Sequence, residues 1–155
     1  MINPLSLAVN GVPYSAGIEP HRTLLSVLRD ELGITGPKEG CDDSECGACM
    51  VLLDGEPTNA CCFLALQADG REVTTIEGIA DNPVGSRIQA RMLEDGGIQC
   101  GFCTPGIVVM ATALLSTNPS PDEEEIRNAL AGNLCRCTGY QKIVAAVTKA
   151  AGDLA

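Results

Sequence analysis

EGCDDSECGACMVLLDG, residues 39 to 55, sets three cysteines at C-x4-C-x2-C spacing and runs directly into an apolar stretch closed by an Asp-Gly pair. The first part is too rich in glycine and too polar for a regular element and is predicted to be a loop. Gly40, Gly47 and Ala48 keep it free of bulky side chains, so its backbone N–H groups can turn inward toward the sulfurs. The second part, continued through GEPTNACC, predicts a β-hairpin turning at Asp54-Gly55 and brings a fourth cysteine, Cys61, close behind the loop. Cys62 follows it directly; in a strand it would face the other side, which reads as a small core residue, with Cys61 favoured over it as the functional thiol.

Outward from this loop, Leu5, Leu7 and Val9 alternate up to Asn10-Gly11, and Val12 to Ala16 returns, the pattern of another hairpin. Leu24, Leu25, Leu28 and Leu32 repeat at helical spacing, with Thr23 placed to cap and Gly33 to stop the helix. REVTTIEG, 71 to 78, reads as a further strand. The composition then changes, and ADNPVG, 80 to 85, reads as a linker. Four helices are predicted beyond it. Ile88, Met92 and Leu93 mark one face of the first, and Thr104-Pro105 caps and opens the second, which carries Ile107 to Leu115. Ser120-Pro121-Asp122-Glu123 has the capping-box pattern for the third, running through Leu130. Thr138 with Gln141 repeats that pattern for the fourth, whose stripe is Ile143, Val144 and Val147. The expected fold is α+β: a mixed sheet-and-helix domain over residues 1–78, then a four-helix bundle over 79–155. Halves this small have marginal cores, and a metal centre in each would help hold the loops.

Eight of the nine cysteines divide between these halves as two sets of four: Cys41, Cys46, Cys49 and Cys61, then Cys100, Cys103, Cys135 and Cys137. Disulfides are a poor account of nine cysteines in a chain that shows no export signal, and metal binding leads. C-x4-C-x2-C is the spacing of the plant-type ferredoxin loop, which supplies thiolates to a [2Fe-2S] cluster. In NLCRCTGY, residues 133 to 140, Cys135 and Cys137 lie at i and i+2, so in an extended or turn segment both face one side and Arg136 points away. Both later cysteine pairs precede helix starts, whose positive ends suit an anionic centre. Zinc remains the alternative, because C-x2-C is also a zinc spacing and sites with four cysteine ligands are common. His21 is read as a solvated loop residue, and Asp122 to Glu125 as acidic side chains suiting a helix first turn.

A net charge of −10 with only two Phe, two Tyr and no Trp disfavours nucleic acid as a partner. No run of about 18 apolar residues predicts direct membrane insertion, and MINPLSLAVNG lacks the basic start and apolar core of a secretory signal, so a cytoplasmic location is expected.

EGCDDSECGACMVLLDG, NACCFLALQADGREVTTIEG, QCGFCTPG and NLCRCTGY together closely resemble the signatures of the small iron-sulfur subunit of the xanthine oxidase family of molybdenum hydroxylases, over about residues 5 to 150. The resemblance implies a ferredoxin-like β-grasp domain with an outer [2Fe-2S] cluster on Cys41, Cys46, Cys49 and Cys61. It implies a helical domain with an inner cluster on Cys100, Cys103, Cys135 and Cys137. Gln99 and Cys137 match positions that contact the pterin. Molybdopterin, expected in its cytosine dinucleotide form, would belong to a large partner subunit, and FAD to a medium subunit or its place be taken by another acceptor. Met50 and Cys62 depart from the usual pattern without removing a ligand. No nucleophile-base set stands on this chain, so it would be the electron-transferring part of an oxidoreductase, with the substrate selected elsewhere. A zinc-stabilised adaptor and a free-standing ferredoxin-like carrier are the competing readings.

Overall fold

A computed structural model describes residues 1–154. The strands are β1 (Asn3–Val9), β2 (Val12–Ile18), β3 (Met50–Leu53), β4 (Glu56–Asn59) and β5 (Glu72–Thr74), in one five-stranded sheet of order β2-β1-β5-β3-β4. β1 runs antiparallel to β2 and parallel to β5, while β3 is antiparallel to both β5 and β4. Both predicted hairpins form. Asn10 and Gly11 have φ of 52° and 76°, Asp54 and Gly55 have 51° and 89°, which is the paired left-handed backbone of two-residue hairpin turns.

The helices are α1 (Leu24–Ser26), α2 (Ile76–Ile79), α3 (Pro83–Glu94), α4 (Thr104–Thr117), α5 (Glu123–Ala129) and α6 (Gln141–Leu154). α1 begins as expected, with the Thr23 hydroxyl accepting from the Ser26 N–H at 3.2 Å, but it passes at once into a π-turn over Val27–Glu31. There the Leu32 N–H reaches back five residues to the Val27 carbonyl at 3.2 Å. The chain therefore has the ferredoxin-like and helical parts of an α+β fold, with α3 packed on α4 and α6, and α5 on α4 and α6.

The two parts share a strand. All four residues of β3 are buried: Val51 and Leu53 join Leu5, Leu7, Leu24 and Leu28 on one face. Met50 and Leu52 join Ile107, Ile88 and Ile143 on the other. The two-residue period of a strand thus places one element in both cores, with α4 lying against its outer face.

Several local expectations are corrected. The segment 80–85 is no extended linker, because Asn82 caps α3 by accepting from the Val84 and Gly85 N–H groups, and Pro83 to Gly85 already form its first turn. Leu93 leaves the buried face of α3 and is 71% exposed, whereas Ile88 and Met92 are fully buried. Cys103, not Thr104, is the N-cap of α4, and the capping box of α5 is Asp122 with Glu125. REVTTIEG contributes only three strand residues before turning into α2.

Candidate metal centres

The loop of residues 39–49 is held by its ends. The Lys38 N–H donates to the Ala48 carbonyl at 2.9 Å, and the Asn59 side chain of β4 donates to the Ser44 carbonyl at 3.0 Å. Between them Asp42, Ser44 and Gly47 take left-handed backbone, which winds the chain tightly enough to return its sulfurs to one place. The Cys46 N–H donates to Cys41 Sγ at 3.4 Å. Cys41 pairs with Cys46 and Cys49 with Cys61, but not exclusively, since Cys46 also senses Cys49 and Cys61 Sγ lies 3.9 Å from Cys62 Sγ. Gly40 borders them: a Cβ there would stand 2.8 Å from Cys46 Sγ, so only glycine leaves the sulfur room.

In the helical part Cys100 and Cys103 stand just before α4, and Cys135 and Cys137 lie in the turn leading to α6. They too pair, Cys137 Sγ with Cys100 Sγ at 3.6 Å and Cys103 with Cys135. Cys135 is half-buried, Cys137 exposed, and Arg136 between them exposed. Among the described residues no three His, Cys, Asp or Glu side chains converge as a single ion would need. Four thiols in each half are the donor set that a [2Fe-2S] cluster takes.

Burial pushes the Cys61 and Cys103 thiols up to about 12. Burial acts in the same direction on Cys135. There it is overcome by Thr138, whose hydroxyl lies 3.0 Å from the sulfur, and the Cys135 thiol falls below its ordinary value. Thr138 thus serves Cys135 and the Tyr140 N–H, its acceptor contact at 3.3 Å, and does not cap α6.

Exposure divides each set. Cys49, Cys61 and Cys103 are buried, Cys41, Cys46 and Cys135 partly so, and Cys100 and Cys137 are exposed beside exposed Gln99. Cys62 is exposed, not a core residue: β4 ends at Asn59, and in the turn that follows its Sγ stays 3.9 Å from that of Cys61. His21 is exposed and lies 3.6 Å from Glu19. Sequence reasoning missed Asn133 and Tyr140, which tie the two loops together. Asn133 donates from its side chain to the Gly47 carbonyl at 3.1 Å. The Tyr140 hydroxyl donates to the Asn133 carbonyl at 2.8 Å and accepts from the Cys135 N–H at 2.7 Å. Their only signal was the NLCRCTGY signature itself.

The fold and the paired thiols define a two-part iron-sulfur protein, and the comparisons agree. The 2Fe-2S iron-sulfur cluster binding domain matches residues 7–78, and the [2Fe-2S] binding domain matches residues 75–148. The nicotinate dehydrogenase small FeS subunit of Eubacterium barkeri is 50% identical over 143 residues, covering 92% of this chain and 91% of the relative. The xanthine dehydrogenase iron-sulfur-binding subunit of Escherichia coli O157:H7 is 43% identical over 145 residues, 90% of this chain and 89% of the relative. Among solved structures, quinoline 2-oxidoreductase from Pseudomonas putida 86 superposes with a TM-score of 0.91 at 38% identity, covering 98% of this chain and 94% of that one. The chain belongs to the [2Fe-2S] iron-sulfur subunits of the xanthine oxidase family of molybdenum hydroxylases. It is the iron-sulfur component of an oxidoreductase, and no helix among its described residues is long and apolar enough to cross a membrane.

Proposed function

We propose that this chain carries two [2Fe-2S] clusters and relays electrons from a molybdopterin site in a partner large subunit to FAD on a medium subunit, or to another acceptor. Cys41, Cys46, Cys49 and Cys61 would hold the outer cluster, and Cys100, Cys103, Cys135 and Cys137 the inner one. The observation that carries the reading is that eight of the nine cysteines gather as two sets of four, one within each of the two matched [2Fe-2S] domains. Each cluster, when bound, supplies a one-electron couple. The chain's own part is to fix the thiolates, shield them and set their spacing. β3 and the Gly47 contact favour a β-grasp domain over about residues 1–78 docked rigidly on a four-helix bundle over about 79–155.

Direction follows from exposure. Gln99, Cys100 and Cys137 lie open to solvent, which suits them to the pterin side of the large subunit. Gln99 and Cys137 are the residues we place against the cofactor, taken as the cytosine dinucleotide form. The chain has no nucleophile-base set, so substrate is chosen and hydroxylated on the partner. The complex is placed in the cytoplasm.

The test is an anaerobic preparation assayed for iron, acid-labile sulfide and zinc. About four irons and four sulfides per chain, as two [2Fe-2S] centres require, with two distinguishable paramagnetic signals after dithionite, and a molybdenum-containing large chain co-purifying, are expected. A colourless chain with stoichiometric zinc would reject the reading in favour of an adaptor, and an iron-loaded chain that runs alone would favour a free carrier.

A further inference from the structure

We propose that Asn133 is a positioning residue for electron passage between the two cysteine sets: it clamps the loop of Cys46 to the loop of Cys135 and so holds a direct backbone bridge between them. The proposal rests on the two-cluster reading above and assigns a task within it.

The bridge is the Leu134 N–H, which donates to the Cys46 carbonyl at 2.9 Å. Leu134 precedes Cys135 in the chain, so this one hydrogen bond joins a cysteine of the first set to the neighbour of a cysteine of the second. Each passage moves one electron from the Cys135 side, which is oxidised, to the Cys46 side, which is reduced; no bond is made or broken and no proton moves. A step of this kind depends on the spacing of the two sides, which the chain must fix in advance.

Asn133 fixes it from the next residue. Its side chain is 1% exposed and donates to the Gly47 carbonyl at 3.1 Å, immediately beside the bridge. The approach is close on every side. A Cβ on Gly47 would come 2.3 Å from the Gly132 carbonyl oxygen, and one on Gly106 of α4 would come 2.1 Å from the Gly47 oxygen. The Tyr140 hydroxyl holds the Asn133 carbonyl at 2.8 Å, and Tyr140 itself sits at a φ of 66°, a left-handed conformation strained for a bulky residue.

Stability alone does not explain this residue. Asn133 Oδ1 is buried with no hydrogen-bond partner among the described residues, a cost that a leucine of similar volume would remove. An amide kept under that cost, with its donor on the loop of the opposite cysteine set, fits a positioning role.

The experiment compares the iron-loaded parent complex with complexes carrying Asn133→Leu or Gly106→Ala. The first removes the clamp. The second wedges a methyl between Gly47 and Asn133 while leaving α4 a better helix former. Iron and sulfide content, the reduction potential of each centre, the magnetic splitting between the two reduced signals and the rate of electron arrival at the first-domain centre are measured. In both variants, content and both potentials should stay at parent values while the splitting weakens. The rate should fall severalfold, because electron tunnelling weakens roughly exponentially as the gap between the two sides widens. Parent-like splitting and rate in a fully loaded variant would overturn the proposal. If only one variant loads, that variant decides, and loss of the clusters in both would make Asn133 a structural residue and overturn it too. A parent with fewer than two signals would defeat the two-cluster reading, and this proposal with it, before any variant was compared.

Discussion

Cys61 and Cys103 are buried thiols, and burial raises both to about 12 because it disfavours the charged thiolate. Iron binds the thiolate, so under the proposed assignment each loses a proton when its centre assembles. The sign follows: with the metal-free pKa raised above neutrality, assembly releases protons and strengthens as pH rises, and protons compete with iron as pH falls. Chelator challenge of the loaded protein at several pH values should therefore strip iron faster at pH about 6 than at about 8; a rate independent of pH would contradict the assignment. The neighbouring thiols give a sharper test. Cys61→Ser should abolish the first-domain signal, whereas Cys62→Ser should leave iron content unchanged, since Cys62 is exposed and only Cys61 pairs with Cys49. The eight thiols and their grouping were legible from spacing alone. The place of Cys62 was not, because the alternation argument assumed a strand where the chain already turns.

At the scale of elements, periodicity located the helices better than capping motifs did. α3, α4 and α6 lie where the apolar stripes predicted and α5 close to where the capping pattern did, yet the caps at Thr104, Ser120 and Thr138 each belong elsewhere. S/T/D-x-x-E/Q patterns overlap in a polar stretch, and only backbone geometry selects among them. At α5, Asp122 accepts from the Glu125 N–H at 2.8 Å and the Glu125 carboxylate accepts from the Asp122 N–H at 2.7 Å. Asp122→Ala should thus cost about 0.5–2 kcal/mol in denaturant unfolding, and Ser120→Ala should cost nothing measurable. Equal losses would mean that the box starts two residues earlier. Thr138 was misread for a different reason: its hydroxyl is drawn to Cys135 Sγ and the Tyr140 N–H, a demand set by the neighbouring thiol and turn that no local helix signal encodes. The π-turn after α1 has no sequence signal that we can identify.

At the scale of the whole molecule, sequence reading split the chain into two parts with a linker, whereas the packing joins them. Spacing along the chain cannot reveal that both faces of β3 are covered, because a run such as MVLL satisfies a strand buried on one face or on two. Here Val51 and Leu53 enter one core and Met50 and Leu52 the other, and the contacts of Leu134 with Cys46 and of Asn133 with Gly47 close the same seam. Neither part can unfold without baring half of β3 and opening the loop of the other part's cysteines. The iron-loaded chain should accordingly melt in one transition, with calorimetric unfolding and bleaching of both centres superimposed. Leu52→Ala, which removes a side chain 8% exposed on the helical face, should cost about 2–5 kcal/mol and weaken the seam selectively. In that variant the two bleaching curves should separate; a parent that already melts in two steps would show that β3 does not couple the cores.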